Sequence, residues 1–466
     1  MQALDPARLD PLIGRERMAK FNAIASATRA QLGHREVISV NSTAVGGGVA
    51  ELLQTLLSYV RGVGVDARWL VIDGDAAFFD ITKRVHNGIY GAPGDGGPLG
   101  QAEHEHYEVI LRENAEELEA LVHPGDIVLL HDPQTAGLAE ALIRRGARVV
   151  WRCHVGRDDA NEWTDRAWDF LRPYLTNVPA FVFSREQFIP AWVPRDRCFV
   201  IQPSIDPFSA KNEPLDDDHV ERILRYVGLL EDGGETEEAT FRRRDGSPAM
   251  INRRADIFQT GPPPPTGVPL VVQVSRWDEI KDMGGVMDGF AHHVDVAHGA
   301  HLILAGPAVT GVADDPEAPE VLDECVARWR ALPHGARHRV HLACIPTQDN
   351  EENAAIVNAL QRRATIVTQK SLAEGFGLTV AEAMWKQRPV VASAVGGIVD
   401  QIEDGVHGLL VNDPRDLQAF GAAIDRLLSN PAEAARLAVN ARARATDKFL
   451  GDRHLEEWAA LFSFIT

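Results

Sequence analysis

Two successive series of short, apolar, β-branched runs separated by helical patterns constrain the fold of this chain more than any other feature. The first series covers residues 36–41, 67–72, 126–130, 148–152, 180–184 and 198–201; the second covers 270–275, 301–305, 339–343, 365–368, 389–392 and 408–411. Runs this short that lack polar alternation read as strands buried on both faces. Strand alternating with helix then gives parallel sheets covered on both sides. Two series predict two doubly wound, Rossmann-like α/β domains, and 466 residues are more than one typical core needs. The turn-rich Gln202-Pro203-Ser204-Ile205-Asp206-Pro207 sets the expected boundary, giving domains 1–205 and 206–445.

One stretch breaks the alternation. Residues 231–267 hold Gly233-Gly234, Arg242-Arg243-Arg244, Arg253-Arg254 and the run Pro262-Pro263-Pro264-Pro265. They read as a partly mobile insertion whose arginines either touch an anion or stand in solvent. The first thirty residues carry a helical pattern. Near the other end, Leu455, Trp458, Ala459, Phe462 and Ile465 recur at helical spacing. A helix over 446–466 with one apolar face is expected, packing back on the first domain.

A net charge of −20 makes nucleic acid an unsuitable partner, and any anionic small molecule would need local cations and backbone amides. The four cysteines, Cys153, Cys198, Cys325 and Cys344, have no metal-ligand spacing and read as reduced core thiols. No run reaches the length of a membrane span. These features predict a cytoplasmic enzyme or binding protein that works on small molecules, with no membrane partner; a homodimer is compatible with them.

The candidate chemistry sits in the loops that follow strands. Glu374-Gly375-Phe376-Gly377-Leu378-Thr379-Val380-Ala381-Glu382 places two carboxylates eight residues apart, astride a glycine-flanked turn between a strand and the helix expected over 378–387. Glu374 is expected at the strand's C-terminal tip, where open α/β sheets bind ligands. Glu382 borders the apolar side formed by Leu378, Ala381 and Trp385. A carboxylate there must be hydrogen-bonded, by a sugar or ribose hydroxyl pair or by a basic neighbour. Arg276 and Lys281 follow another strand; they either neutralise a departing diphosphate or form surface pairs with Asp278 and Glu279.

Gly46, Gly47 and Gly48 lie between a strand and a helix, where close backbone approach and free amides suit a phosphate, or where a tight turn serves packing. The segment is neither a phosphate-binding Walker loop nor a dinucleotide fingerprint. His154 follows the strand ending at Cys153 and is placed to bind a hydroxyl or hold a carbonyl. Asp132 either meets sugar hydroxyls or caps the next helix. Lys83, Arg84 and His86 precede Asn87-Gly88, in a turn that either lines a cleft or is solvated. Asn41 and Glu51 complete the set of polar candidates.

Glu374-Gly375-Phe376-Gly377 with Glu382 resembles the E-x7-E signature of retaining glycosyltransferases of the GT-B fold, and Ser275-Arg276 with Lys281 resembles their diphosphate-binding pair. Further segments, among them 40–51, 83–88, 130–134, 151–154, 203–211, Asp314-Asp315-Pro316-Glu317 and 374–386, resemble the branch of trehalose glycosyltransferring synthases. The resemblance implies two domains facing across a cleft and transfer of glucose from an NDP-glucose to free glucose, giving trehalose reversibly. It implies catalytic roles for Arg276, Lys281, Glu374 and His154. Donor contacts would come from Gly46, Gly47, Gly48, Gly375, Phe376, Gly377, Leu378 and Glu382, and acceptor contacts from Asn41, Glu51, Lys83, His86 and Asp132. It implies no prosthetic group and no essential metal. Gly156 and Arg157 depart from the family's pattern after His154, and Asp282 stands where a glycine is usual. The alternatives are a trehalose phosphorylase, a related transferase with another sugar acceptor, an epimerase or a non-catalytic sensor.

Overall fold

The computed structural model describes residues 3–44, 47–231, 238–309 and 317–466. Gly46, Gly233-Gly234 and Asp314-Asp315-Pro316 lie outside the described residues. The chain forms two compact units. Unit 1 comprises Met1–Ser204, Glu374–Phe376 and Phe449–Thr466; unit 2 comprises Ile205–Ala373 and Gly377–Lys448.

Unit 1 carries six parallel strands, β1 (Val37–Asn41), β2 (Ala67–Val71), β3 (Ile127–His131), β4 (Arg148–Cys153), β5 (Ala180–Phe183) and β6 (Cys198–Val200), in the order β2-β1-β3-β4-β5-β6. Strands β1, β3 and β5 are buried at every position, which is why their sequences are mostly apolar, with Ser39, Asn41 and His131 the buried polar exceptions. Leu53, Leu57 and Val60 of the helix Gly47–Gly62 and Trp458, Leu461 and Phe462 of the helix Gly451–Ile465 cover Val37, Ile127, Leu129, Val150 and Val182. Arg17 of the helix Arg15–Leu32 also pairs with the buried Asp452 (Nη2 to Oδ1, 3.0 Å). The chain leaves β1 toward β2 and returns on the other side as β3. This reversal is the topological switch point, the position at which such sheets bind ligands.

Unit 2 has seven strands: β9 (Asp256–Phe258), β10 (Leu270–Val274), β11 (His301–Pro307), β12 (Val340–Ile345), β13 (Ile366–Gln369), β14 (Val390–Ser393) and β15 (Leu409–Val411). Their order is β15-β14-β13-β10-β11-β12-β9. Six run parallel, and β9 pairs antiparallel with β12 at the edge. Here the switch point lies between β10 and β13. Val286, Met287 and Phe290 of the helix Met283–His293 pack with Leu302, Leu304, Leu342 and Phe420 into this unit's core.

Two expectations are revised by the fold. The insertion is ordered where it is described: β7 (Thr240–Arg242) and β8 (Pro248–Met250) form a hairpin, and β9 joins the main sheet. Arg242 and Arg254 are exposed, as a solvated loop would have them, but Arg243, Arg253 and Arg254 also find partners within the unit. Arg243 pairs with Asp349 (2.6 Å) and Glu351 (3.0 Å), Arg253 pairs with Glu352, and Arg254 donates to the Tyr226 carbonyl. Those acids crowd the first turn of the helix Asn350–Arg363, whose positive end holds them and whose charge attracts the arginines. The second revision concerns the turn expected at Asn87-Gly88. Lys83, Arg84, His86, Asn87 and Gly88 all lie on one helix, Ala76–Ile89. Asp75 caps that helix, and Phe78, Ile81, Val85 and Ile89 bury its apolar stripe, overriding a local turn signal.

Candidate functional site

In unit 2 the residues after β10 and β13 are tied together by buried amides. The Gln273 side chain, fully buried in β10, donates to the Lys281 carbonyl (2.8 Å) and accepts from the Lys370 main-chain N–H (2.9 Å). Gln369 at the end of β13 donates to Ser275 Oγ (3.0 Å) and Ser371 Oγ (2.9 Å), and accepts from Thr379 Oγ1 (2.8 Å) in the helix Leu378–Trp385. Two glutamine side chains thus fix the Arg276–Lys281 segment against the loop that leads into that helix.

Asp282 follows Lys281 with φ +48°, the left-handed conformation that favours glycine. The aspartate remains there by bonding twice. Its side chain caps the helix Met283–His293 by accepting from Gly285 N (3.0 Å), and it pairs with Lys370, which is fully buried. Arg276 Nη2 meets Asp278 Oδ2 at 2.8 Å, so the surface-pair expectation is met for Asp278; its guanidinium keeps about a third of its exposure. Asp278, buried itself, also accepts from Ile280 N and so steadies the turn.

Glu374 is not at a strand tip. β13 ends at Gln369, and the tip positions belong to Lys370 and Ser371, both fully buried; Glu374 lies farther along the connection. Gly377 caps the helix Leu378–Trp385 at φ +89°, a conformation only glycine adopts without strain. Glu382 is 2 % exposed, and the Nζ of Lys211 stands 3.6 Å from its Oε1. Lys211, Lys370, Gln273 and Gln369 were not among the candidates read from sequence. Lys211 closes the quoted segment 203–211, and Lys370 abuts an expected strand end, but nothing local pairs either with its acid.

In unit 1 the tips of β3 and β4 carry a different arrangement. The register sets His131 opposite Arg152, which brings His154 beside the β3 tip. His131 Nδ1 lies 2.9 Å from His154 Nε2 with the rings nearly parallel, at 22°. Asp132, at φ +63°, does not cap the following helix; its Oδ1 accepts from His154 N at 2.7 Å. The Asp132 carbonyl in turn accepts from Trp151 Nε1 (3.1 Å), and Thr135 Oγ1 donates to the His131 carbonyl (2.9 Å).

Burial sets the charges here. It pushes the Asp132 carboxyl up to about 7, and it pushes His131 down to about 3, with Arg152 adding to the effect. His154 is held well below the usual histidine range by burial and then by Arg152. Arg152 is fully buried and itself lowered to about 9. It meets His454 Nε2 and the Ile201 carbonyl at 3.4 Å each, and its guanidinium stands 5.3 Å from the Trp458 ring centre.

The other unit 1 candidates lie at the end of β1 and on two helices. Asn41, buried at the end of β1, accepts from Trp69 Nε1 (2.6 Å) and donates to the Thr43 carbonyl (2.8 Å). Gly47 and Gly48 open the helix that carries Glu51. Lys83 and His86 are half-buried on the helix Ala76–Ile89. Gly375 packs against the main chain of His154. A Cβ there would fall 2.5 Å from the His154 carbonyl oxygen, so the position admits no side chain.

Among the described residues no cluster of three or more His, Cys, Asp or Glu is suited to a metal ion, and no helix is long and apolar enough to cross a membrane.

Comparison with known proteins follows this division. Residues 39–190 match the family described as trehalose synthase, N-terminal domain, and residues 262–444 match glycosyl transferases group 1. A trehalose synthase of Pyrococcus horikoshii is 31% identical over 450 residues, 96% of this chain and 93% of that protein. A trehalose phosphorylase of Pleurotus pulmonarius is 25% identical over 88% of this chain and 54% of its own length. Among solved structures, the α,α-trehalose-phosphate synthase (UDP-forming) of Burkholderia vietnamiensis superposes with a TM-score of 0.65 at 16% identity, over 93% of this chain and 97% of the other. The fold shared with that structure is GT-B.

Proposed function

Since the chain belongs to the trehalose synthase family of GT-B glycosyltransferases, we propose that it transfers glucose from an NDP-glucose to free glucose, with retention of configuration, forming trehalose reversibly. The observation that carries this reading is the β10–β13 switch point. Two cationic side chains, Arg276 and Lys281, follow one strand, and the Glu374–Glu382 stretch follows its neighbour, with buried glutamines joining the two. Fixed cations at such a position suit a diphosphate leaving group, and fixed carboxylates suit hydroxyls.

In this mechanism Arg276 and Lys281 take up charge as the anomeric C–O bond to the diphosphate breaks. Amides of Gly375, Phe376, Gly377 and Leu378, and of the Gly46–Gly48 segment, add donors. Glu382, oriented by Lys211, holds the nucleotide's ribose; Glu374 and His154 hold donor-sugar hydroxyls. Asn41, Glu51, Lys83, His86 and Asp132 supply acceptor contacts. The acceptor hydroxyl attacks on the face the diphosphate leaves, and a phosphate oxygen receives its proton. The protein then contributes positioning and charge stabilisation, with no separate base.

The test is a matrix of NDP-glucoses against glucose, glucose 6-phosphate, fructose and glycerate, reading released nucleotide and product linkage. An α,α-1,1 disaccharide with glucose alone supports the proposal. Release of nucleotide with no acceptor dependence refutes it. The Pleurotus relative favours a second reading, phosphorolysis, in which inorganic phosphate replaces the nucleotide. Glucose 1-phosphate formed from trehalose and phosphate without nucleotide would establish that alternative.

A further inference from the structure

The paired imidazoles at the tips of β3 and β4 carry an inference beyond the candidate roles of His154 and Asp132. Between His131 Nδ1 and His154 Nε2, 2.9 Å apart, one nitrogen must hold the proton and the other must accept it. Burial and the neighbouring Arg152 keep both rings neutral, so each has a single N–H to place. His131 is 2 % exposed, and its Nε2 is buried with no hydrogen-bond partner among the described residues.

That orphaned atom decides between the tautomers. If His154 donated from Nε2, His131 would carry its own proton on Nε2 and bury an unpaired N–H donor. If His131 donates from Nδ1, its Nε2 is only an unfilled acceptor, the lesser penalty. The main chain that carries the His154 ring is also fixed, because its N–H is bonded to Asp132 Oδ1.

We propose that His131 is a positioning residue that fixes the proton of His154 on Nδ1, so that His154 presents a permanent N–H donor to an oxygen of the bound sugar. A histidine free to exchange tautomers would offer that oxygen a lone pair for part of the time. His131 touches no substrate in this scheme; it acts through His154. The consequence for turnover rests on the glycosyl-transfer reading above, whereas the tautomer itself does not.

Two measurements test the proposal. Ring nitrogen-15 spectra of the substrate-free protein, labelled at histidine and assigned with His154→Gln, should show His154 protonated at Nδ1 and bare at Nε2. The opposite pattern, or averaging between the two, overturns the proposal whatever the protein catalyses. The second measurement compares His131→Asn with His131→Asp, using whichever donor and acceptor turn over in the matrix above. Asparagine keeps a donor near the position of Nδ1 and should leave kcat within about threefold of the parent. Aspartate offers only acceptors and should cut kcat by about tenfold or more, the scale of leaving one buried polar group unpaired.

Aspartate also brings a negative charge to His154, which otherwise faces Arg152, Asp132, His131 and His454. The pH profile of the aspartate variant should gain a limb between about pH 5 and 8 as His154 becomes titratable. Equal losses in the two variants with an unchanged pH profile would reduce His131 to a packing residue and sink the proposal.

Discussion

The two units both gather polar side chains at the C-terminal tips of neighbouring parallel strands, with opposite electrostatic designs. In unit 2 the tips of β10 and β13 carry cations and carboxylates set by buried amides: Gln273 and Gln369 fix the loops, Lys370 pairs with Asp282, and Arg276 keeps part of its exposure. In unit 1 the tips of β3 and β4 are dominated by burial. His131 and His154 are held neutral, and Asp132 is raised toward neutrality beside a fully buried Arg152. A Rossmann-like sheet therefore specifies where a ligand can sit but not how it is held. Charge at one set of tips suits a leaving anion, and oriented neutral dipoles at the other suit sugar hydroxyls.

The sharpest way to break this comparison is to remove the cations. Arg276→Ala or Lys281→Ala should each lower turnover by about 10²-fold or more, the scale of losing one transition-state donor. Near-parental rates in both would show that the charged tips of unit 2 do not serve the chemistry.

The neutral tips make a prediction about stability. Burial raises the Asp132 carboxyl to about 7, above the 3.8 of a free aspartate. The fold retains a proton that the unfolded chain has already released. The stabilising contribution is complete below about pH 4 and is lost as pH rises through about 7. Asp132→Asn keeps an acceptor for His154 N. Its melting temperature should exceed the parent's at pH 8 by several degrees, with the gap closing by pH 4. A gap independent of pH would mean that the carboxyl is ordinarily ionised and that the contrast between the units is overstated.

The smallest effect concerns the buried acid of unit 2. Glu382→Gln and Lys211→Met should each weaken nucleotide binding by about tenfold, with little change in turnover at saturation. Titration calorimetry with the nucleoside diphosphate alone checks this, and an unchanged Kd in both variants removes the ribose role.

Much of this was legible in the chain because the relevant physics is local. Strands covered on both faces favour mostly apolar, β-branched runs, so β1, β3, β10 and β13 announced themselves despite one or two polar residues in each. The Glu374–Glu382 and Arg276–Lys281 segments stood out because charged residues following apolar strands are costly to place without a use. Local signals failed where tertiary burial outweighed them. Asn87-Gly88 reads as a turn, yet Gly88 packs where a Cβ would lie 2.8 Å from that of Ala167, and the helix continues through it. The pairing of Arg243 and Arg253 was not legible because the acids that hold them lie far along the chain.

By itself the sequence determined the two main α/β sheets and the parallel sense of most of their strands, since these follow from the periodicity and burial of neighbouring residues. Only the tertiary structure decided that Lys211 meets Glu382, that Lys370 meets Asp282, and that His131 meets His154. Those pairings depend on strand order and on which residues share a desolvated space. Neither is encoded in the spacing of adjacent side chains, because each follows from the free energy of the whole packed unit.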